Sequence, residues 1–412
     1  MIFMANAEAL AIFAWKGIIM ARYVGTTAIF GPLLTVMLAQ SASAADAALP
    51  QEPAAPATET RETLFPKLRW GDDRHYLEFY AQINKGLLVF DDGGSTLGYF
   101  PVDNGNSSSR AGLRGYTTLD EYWSLGANLE WEWNPYSTNN VNQFNRDDFD
   151  WETDLLRKAE IYLESEQYGK VWLGQGSMAS DNTAEVDLSG TTVVGYSLVA
   201  DMAGGPFFRL DEGELSSVHV KDAFTNFDGV SRKFRARYDT PSFNGFSLAA
   251  SVGTQLVPVE TDITVWDIAA RYDNTFGDYK FAAAVAFSQP NRDEGLYDGS
   301  FSILHEPTGL SLTLAAAYSD EEVADGRYGY VKLGYQEDFF EVGKTALSVD
   351  AYFGRDIAAL DSDSTSFGAQ IVQNLDYLQT ELYLGVRSYS YDEEIEDFQD
   401  SVAMLAGARM KF

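Results

Sequence analysis

From about Tyr76 to its last residue, the chain alternates apolar and polar positions with a period of two. The end shows it most plainly. Val402, Met404, Ala406, Ala408, Met410 and Phe412 are apolar, while Ser401, Ala403, Leu405, Gly407, Arg409 and Lys411 between them are mixed and partly charged. A strand sends successive side chains to opposite faces, so this pattern predicts a strand with one oily face that runs to the terminus. Leu77, Phe79, Ala81 and Ile83 alternate in the same way with Glu78, Tyr80, Gln82 and Asn84. Leu310, Leu312, Leu314 and Ala316 alternate with Ser311, Thr313, Ala315 and Ala317.

Sixteen strands are predicted, at 76–90, 107–118, 122–133, 155–166, 169–175, 230–239, 246–254, 264–272, 279–288, 299–305, 310–318, 328–336, 345–354, 365–374, 378–391 and 398–412. Their connections alternate in length. Tight turns such as 119–121, 167–168 and 306–309 take turns with longer polar segments such as 91–106, 134–154, 176–229 and 255–263. That rhythm predicts an all-β fold, a transmembrane up-and-down antiparallel barrel with both termini on the side of the tight turns. The oily face then meets lipid or a neighbouring subunit, and the polar face a wet lumen. A soluble antiparallel sandwich leaves the loop rhythm unexplained, and also the apolar terminal strand, since unpaired termini fray.

The region before the barrel reads in two parts. An apolar run from Val24 to Ala39 follows Arg22 and precedes Ala42 and Ala44, an A-x-A cleavage pattern. Residues 1–44 are therefore read as a signal peptide, with Met20 as the true start. The run is too short for a spanning helix, which needs about 20 apolar residues. Residues 45–74 read as an Ala/Pro-rich periplasmic tail and linker, and 75–412 as the barrel.

Charge narrows the function classes. The formal net charge is −32, which makes nucleic acid an unsuitable partner. The aromatic content of 14% argues against a disordered acidic chain. There is no cysteine, which excludes thiol catalysis and cysteine metal sites. The acidic outer segments around Asp320, Asp361, Asp363 and Asp392–Asp397 lack the twelve-residue calcium loop and are read as solvated charge. No cofactor and no metal is called for. Three histidines, His75, His219 and His305, stand in no recognisable nucleophile–base spacing, and no G-x-S-x-G occurs, so an enzyme is not expected.

Segments Tyr80–Lys85, Asp91–Gly93, Val102–Gly115, Tyr168–Gln175, Val186–Gly190 and Tyr238–Phe246, in that order, resemble the general diffusion porins, especially their alphaproteobacterial branch. Phe412 resembles the terminal aromatic by which the outer-membrane assembly machinery recognises its clients. The resemblance implies a homotrimer of sixteen-stranded barrels in the bacterial outer membrane, in contact with lipid and lipopolysaccharide. It also implies a third outer loop folded into the pore, at about 176–229. Arg110 and Arg157 match wall arginines opposite that loop, and Lys233 and Arg235 fall on the strand after it.

The loop itself carries Asp181, Glu185, Asp187 and Asp201. The constriction expected is therefore acids on the loop facing cations on the wall, with a transverse field across a narrow neck. The functional expectation is passive diffusion of small hydrophilic solutes and ions with mild cation preference. A solute-specific channel and a non-conducting anchoring or adhesion barrel stand as alternatives. Strict alternation puts Lys85 on the lipid side, so either a register shift turns it inward, or it sits at a subunit contact or near the interface, where it can snorkel.

Overall fold

The computed structural model describes residues 63–146, 154–255, 264–291, 294–320 and 325–412. The proposed leader, the start at Met20 and the tail up to residue 62 lie outside them.

Twenty strands are described. They are β1 (Leu68–Gly71), β2 (His75–Asp91), β3 (Thr96–Asp103), β4 (Arg110–Thr118), β5 (Ser124–Trp133), β6 (Asp154–Ser165), β7 (Gly169–Ser177), β8 (Phe207–Arg209), β9 (Leu215–His219) and β10 (Arg232–Asp239). Then follow β11 (Phe246–Thr254), β12 (Thr264–Phe276), β13 (Tyr279–Gln289), β14 (Gly295–His305), β15 (Leu310–Asp320), β16 (Arg327–Phe340), β17 (Gly343–Arg355), β18 (Asp363–Leu375), β19 (Thr380–Asp392) and β20 (Ser401–Lys411).

Sequential antiparallel pairing closes them into a sixteen-stranded barrel. β3 and β4 share one barrel position beside β2, interrupted by residues 104–109, and β20 pairs back with β2. β8 and β9 form a separate hairpin inside the long loop. Closure leaves no sheet edge along the wall, which is the condition for a strand to lie in hydrocarbon. Ile83, Leu173, Trp131, Val252 and Ile268 stand exposed on the outer face, as a lipid-facing belt requires.

Two expectations change. Residues 96–103, assigned to an outer loop, are strand β3. Residues 68–71, assigned to the tail, form β1, which pairs with Tyr76–Phe79 of β2 directly below the C-terminus. There Phe65 packs edge-on against Phe412 with ring centroids 4.9 Å apart, and the Phe412 N–H donates to the Ala81 carbonyl at 2.9 Å. Lys85 does face outward, and finds its partner: its ammonium lies 2.5 Å from Asp103, directly across the β2–β3 ladder.

The loop between β7 and β10 forms an inner layer against one side of the lumen. Its backbone N–H groups are met by short side chains of the wall. Ala179 N donates to Ser251 Oγ at 2.8 Å, Ser180 N to Asp267 Oδ2 at 2.8 Å, Val186 N to Ser300 Oγ at 2.9 Å and Leu188 N to Ser302 Oγ at 3.0 Å. Serine and aspartate at these inward positions let the loop approach and satisfy its buried donors. Further on, Val194, Met202 and Phe224 pack on Tyr352, Tyr389 and Gly385, whose missing side chain leaves room for the Val194 and Met202 side chains. Phe224 sits 5.4 Å from the Tyr352 ring and 5.2 Å from that of Tyr389.

Candidate constriction site

The wall left uncovered by the loop is built by β4–β7 and β10. Its charge arrangement depends on one irregularity. In the β5–β6 ladder Glu130 pairs with Lys158 and Trp131 with Leu156, so Arg157 is an extra, unpaired residue. Such a bulge re-aims a side chain. Arg157 and Lys158, which strict alternation would send to opposite faces, therefore both turn to the lumen. Arg157 is held between two glutamates of β5, donating to Glu130 at 2.8 Å and also to Glu132. Among the described residues Lys158 has no ion-pair partner, and its charge is felt with those of Glu130, Glu160, Arg232 and Arg157.

The other predicted wall residues separate into two kinds. Arg110 donates to Ser107 Oγ at 3.0 Å and to Ser108 O at 3.3 Å, with no carboxylate in contact among the described residues. Lys233 donates to Gln255 at 2.8 Å. Arg235, by contrast, is buried, with Glu160 at 2.5 Å and the carbonyls of Ser177 and Gly174 at 3.0 and 3.1 Å. It braces β10 against β6 and β7.

The four loop acids are placed unequally. Asp181 meets the basic wall. Arg232 lies 3.8 Å away, Arg271 donates to the Asp181 carbonyl at 2.9 Å, and Lys233 feels its charge. Asp187 points to the covered side, where Lys332 of β16 reaches it at 2.8 Å and also donates to Gly195 O at 2.7 Å. Asp201 accepts from Asn139 at 2.8 Å and from the Tyr196 hydroxyl. The wall charge that acts on Asp201 is Glu132, a carboxylate. Glu185 accepts from Asn226 at 2.9 Å.

Sequence reasoning missed Asp228, which accepts from the N–H groups of Asn182 at 2.6 Å and Ala184 at 2.8 Å and so folds the loop back on itself. It also missed Lys158, Arg232, Arg271 and Lys332. Arg232 and Lys158 stand next to residues it did select.

Burial drives the electrostatics of the loop acids. It pushes Asp201 up to about 6, against the pull of Tyr196 and Asn139. It pushes Asp228 up to about 7, with Asp181 nearby adding to the rise. Glu185 is raised well above the ordinary carboxylate range by burial and then by Asp228.

The outer end of the loop is latched. Arg209 makes paired contacts of 2.9 Å with both carboxylate oxygens of Asp92, and Gln143 adds a hydrogen bond of 3.1 Å. Burial would raise the Asp92 carboxyl, but these partners hold it well below the usual range.

A closed sixteen-stranded barrel with an inward loop and a charged neck defines a porin-type channel. The profile of the Gram-negative porin family matches residues 33–394, and the chain belongs to that family. No curated protein sequence matches it significantly. In fold it is similar to the anion-selective porin of Comamonas acidovorans, with a TM-score of 0.57, 16% identity, and coverage of 82% of this chain and 100% of that one. It is similar to OmpF of Salmonella typhi (TM-score 0.54, 14% identity, 84% and 100% covered). It is also similar to OmpT of Vibrio cholerae in trimer form (TM-score 0.52, 15% identity, 82% and 100% covered).

Proposed function

We propose that this protein is a general porin of the outer membrane, a water-filled channel that passes small hydrophilic solutes and ions passively. The neck is the gap between the inward loop and the β4–β7/β10 wall. The carrying observation is the imbalance across it. Asp187, Asp201 and Glu185 are spent on anchoring and folding the loop, whereas Arg110, Lys158 and Lys233 stand without carboxylate contacts among the described residues.

Net charge and the acids of the outer loops led to an expectation of mild cation preference. The neck supports the opposite sign, a mild anion preference. An ion feels unscreened charges within about one Debye length, about 10 Å at 0.1 M salt, and the neck is where it passes nearest to them. The acidic outer rim attracts cations to the mouth but stands farther from the narrowest point. Assembly as a homotrimer with lipid and lipopolysaccharide around it fits the apolar outer face, and the OmpT likeness in trimer form supports it.

Planar-bilayer recording of the purified protein in a salt gradient tests both parts. Large ohmic steps closing in threes, with a reversal potential of anion sign, support the reading. A cation-sign potential that is insensitive to Arg110→Gln and Lys158→Gln removes the neck assignment. Absence of conductance favours the anchoring barrel.

A further inference from the structure

Below the neck, the lumen wall of β2 and β4–β7 carries five half-exposed aromatic side chains: Tyr76, Tyr80, Tyr116, Tyr162 and Trp172. Strand alternation points them inward with Arg110 and Glu130, away from the lipid. They are unlike the lumen tyrosines Tyr328, Tyr352 and Tyr389, which the loop buries. They are also unlike an interfacial girdle, which faces the membrane.

Two of them repeat one arrangement. The Tyr80 ring occupies the space a side chain on Gly112 would fill, with an added Cβ only 2.4 Å from it, and carries the Arg114 guanidinium 4.0 Å above its centre. The Tyr162 ring fills the space over Gly126 in the same way, at 2.1 Å, and carries the Lys170 ammonium at 3.7 Å. Trp172 leans on Tyr162 at 4.6 Å and shares Lys170 at 4.0 Å. Nearer the periplasmic rim Tyr76 stacks on Tyr116 at 5.3 Å, under Arg69 at 3.7 Å. Glycine seats the ring, and the ring seats the cation.

These cations are held loosely by their acids. Arg114 lies 3.3 Å from Glu78, and Lys170 lies 3.4 Å from Glu164. Charge-assisted bonds normally close to about 2.7–2.9 Å, as Arg387 and Asp350 do under the loop at 2.7 Å. The Arg114 side chain is 50% exposed and the Lys170 side chain 21%. An incoming carboxylate can therefore take the cation without breaking a tight pair, while a flat apolar body lies against the neighbouring rings.

We propose that this wall is a binding shelf for small organic acids that carry a carboxylate on a flat ring, with Lys170, Tyr162 and Trp172 as its centre and Arg114 and Tyr80 as its second station. It rests on the channel reading for its access route. It adds a solute preference that the neck charges do not supply, because simple carboxylates use the cation alone and sugars the rings alone.

The test uses the full-length native protein and three probes: benzoate, acetate and glucose. Calorimetric titration of the detergent-solubilised protein reads binding, and bilayer current noise reads transit. Benzoate is expected to bind about fivefold more tightly than acetate, the worth of one aromatic contact, and glucose least. Tyr162→Ala with Trp172→Ala abolishes the benzoate–acetate difference, and Lys170→Gln weakens both acids while the rings remain. Equal binding of benzoate and acetate by the native protein overturns the shelf, as does a difference that survives the double variant or benzoate binding unmoved by Lys170→Gln. Binding without salt conductance keeps the shelf and removes the channel reading; conductance without binding does the reverse.

Discussion

Lys332 of the wall and Asp187 of the inward loop form a buried ion pair of 2.8 Å, and the same ammonium caps the Gly195 carbonyl. One side-chain head thus fixes the loop at two points eight residues apart. The pair explains why an acid chosen for the neck faces away from it.

Removing one partner of a buried pair leaves the other charge uncompensated, at a cost of about 3–5 kcal/mol. Lys332→Met should therefore free this part of the loop. The measurement is single-channel current, where larger steps with more open-channel noise are expected. Barrel closure, read by heat-modifiable mobility, should persist, because β16 keeps its ladder to β15 and β17. Unchanged noise would show that the serine contacts hold the loop alone.

The bulge at Arg157 separates two adjacent cations by role. Lys158→Gln should shift the reversal potential toward cations, by up to about fivefold in permeability ratio, since one charge at 4 Å in water is worth about 1 kcal/mol. Arg157→Gln should act mainly on stability. It strands Glu130 and Glu132 and is expected to lower the unfolding temperature. The opposite pattern, with selectivity following Arg157, would contradict these contacts.

The loop should respond to pH through Asp228, Asp201 and Glu185. Their carboxyls are raised by burial, Asp228 to about 7 and Asp201 to about 6. In the folded loop they hold protons that the unfolded chain releases near the ordinary values of 3.8 for the two aspartates and 4.5 for Glu185. The folded state therefore binds more protons between those limits, and its stability falls as pH rises. The contribution of the two aspartates is complete below about pH 4 and lost once about pH 7 is passed, and Glu185, raised well above its ordinary range, acts in the same direction. Open-channel noise should grow from pH 5 to pH 8, and Glu185→Gln, which keeps an acceptor for Asn226, should flatten the change. Noise that grows toward acid pH instead would mean that these carboxyls are charged in the folded loop.

Gly385 is needed for contact with the loop. A Cβ there would lie 2.5 Å from Met202 Cε and 2.8 Å from Val194 Cγ2. Gly385→Val should wedge the loop off β19 at an overpacking cost of about 1–3 kcal/mol, and raise conductance. If conductance stays at the native level, Met202 can swing aside.

The barrel was legible because its signal is local. Alternation and turn rhythm located all sixteen barrel positions to within a few residues, and the parity of β2 and β20 gave their lipid faces. β3 escaped because Gly98, Phe100 and Pro101 break the alternation. The loop was visible from its length and acids, yet the partners of those acids were not.

Sequence by itself determined the class of fold, since period-two patterning and barrel closure follow from the geometry of one strand and the ban on unpaired backbone in lipid. Only the tertiary structure decided which charges stay free. Lys332 is 145 residues from Asp187, Glu132 is 25 from Arg157, and Thr183 meets Asp298 from 115 away. Parity says which face a side chain takes. It cannot say which distant strand supplies its partner, nor that one extra residue at a bulge will turn Arg157 and Lys158 to the same side.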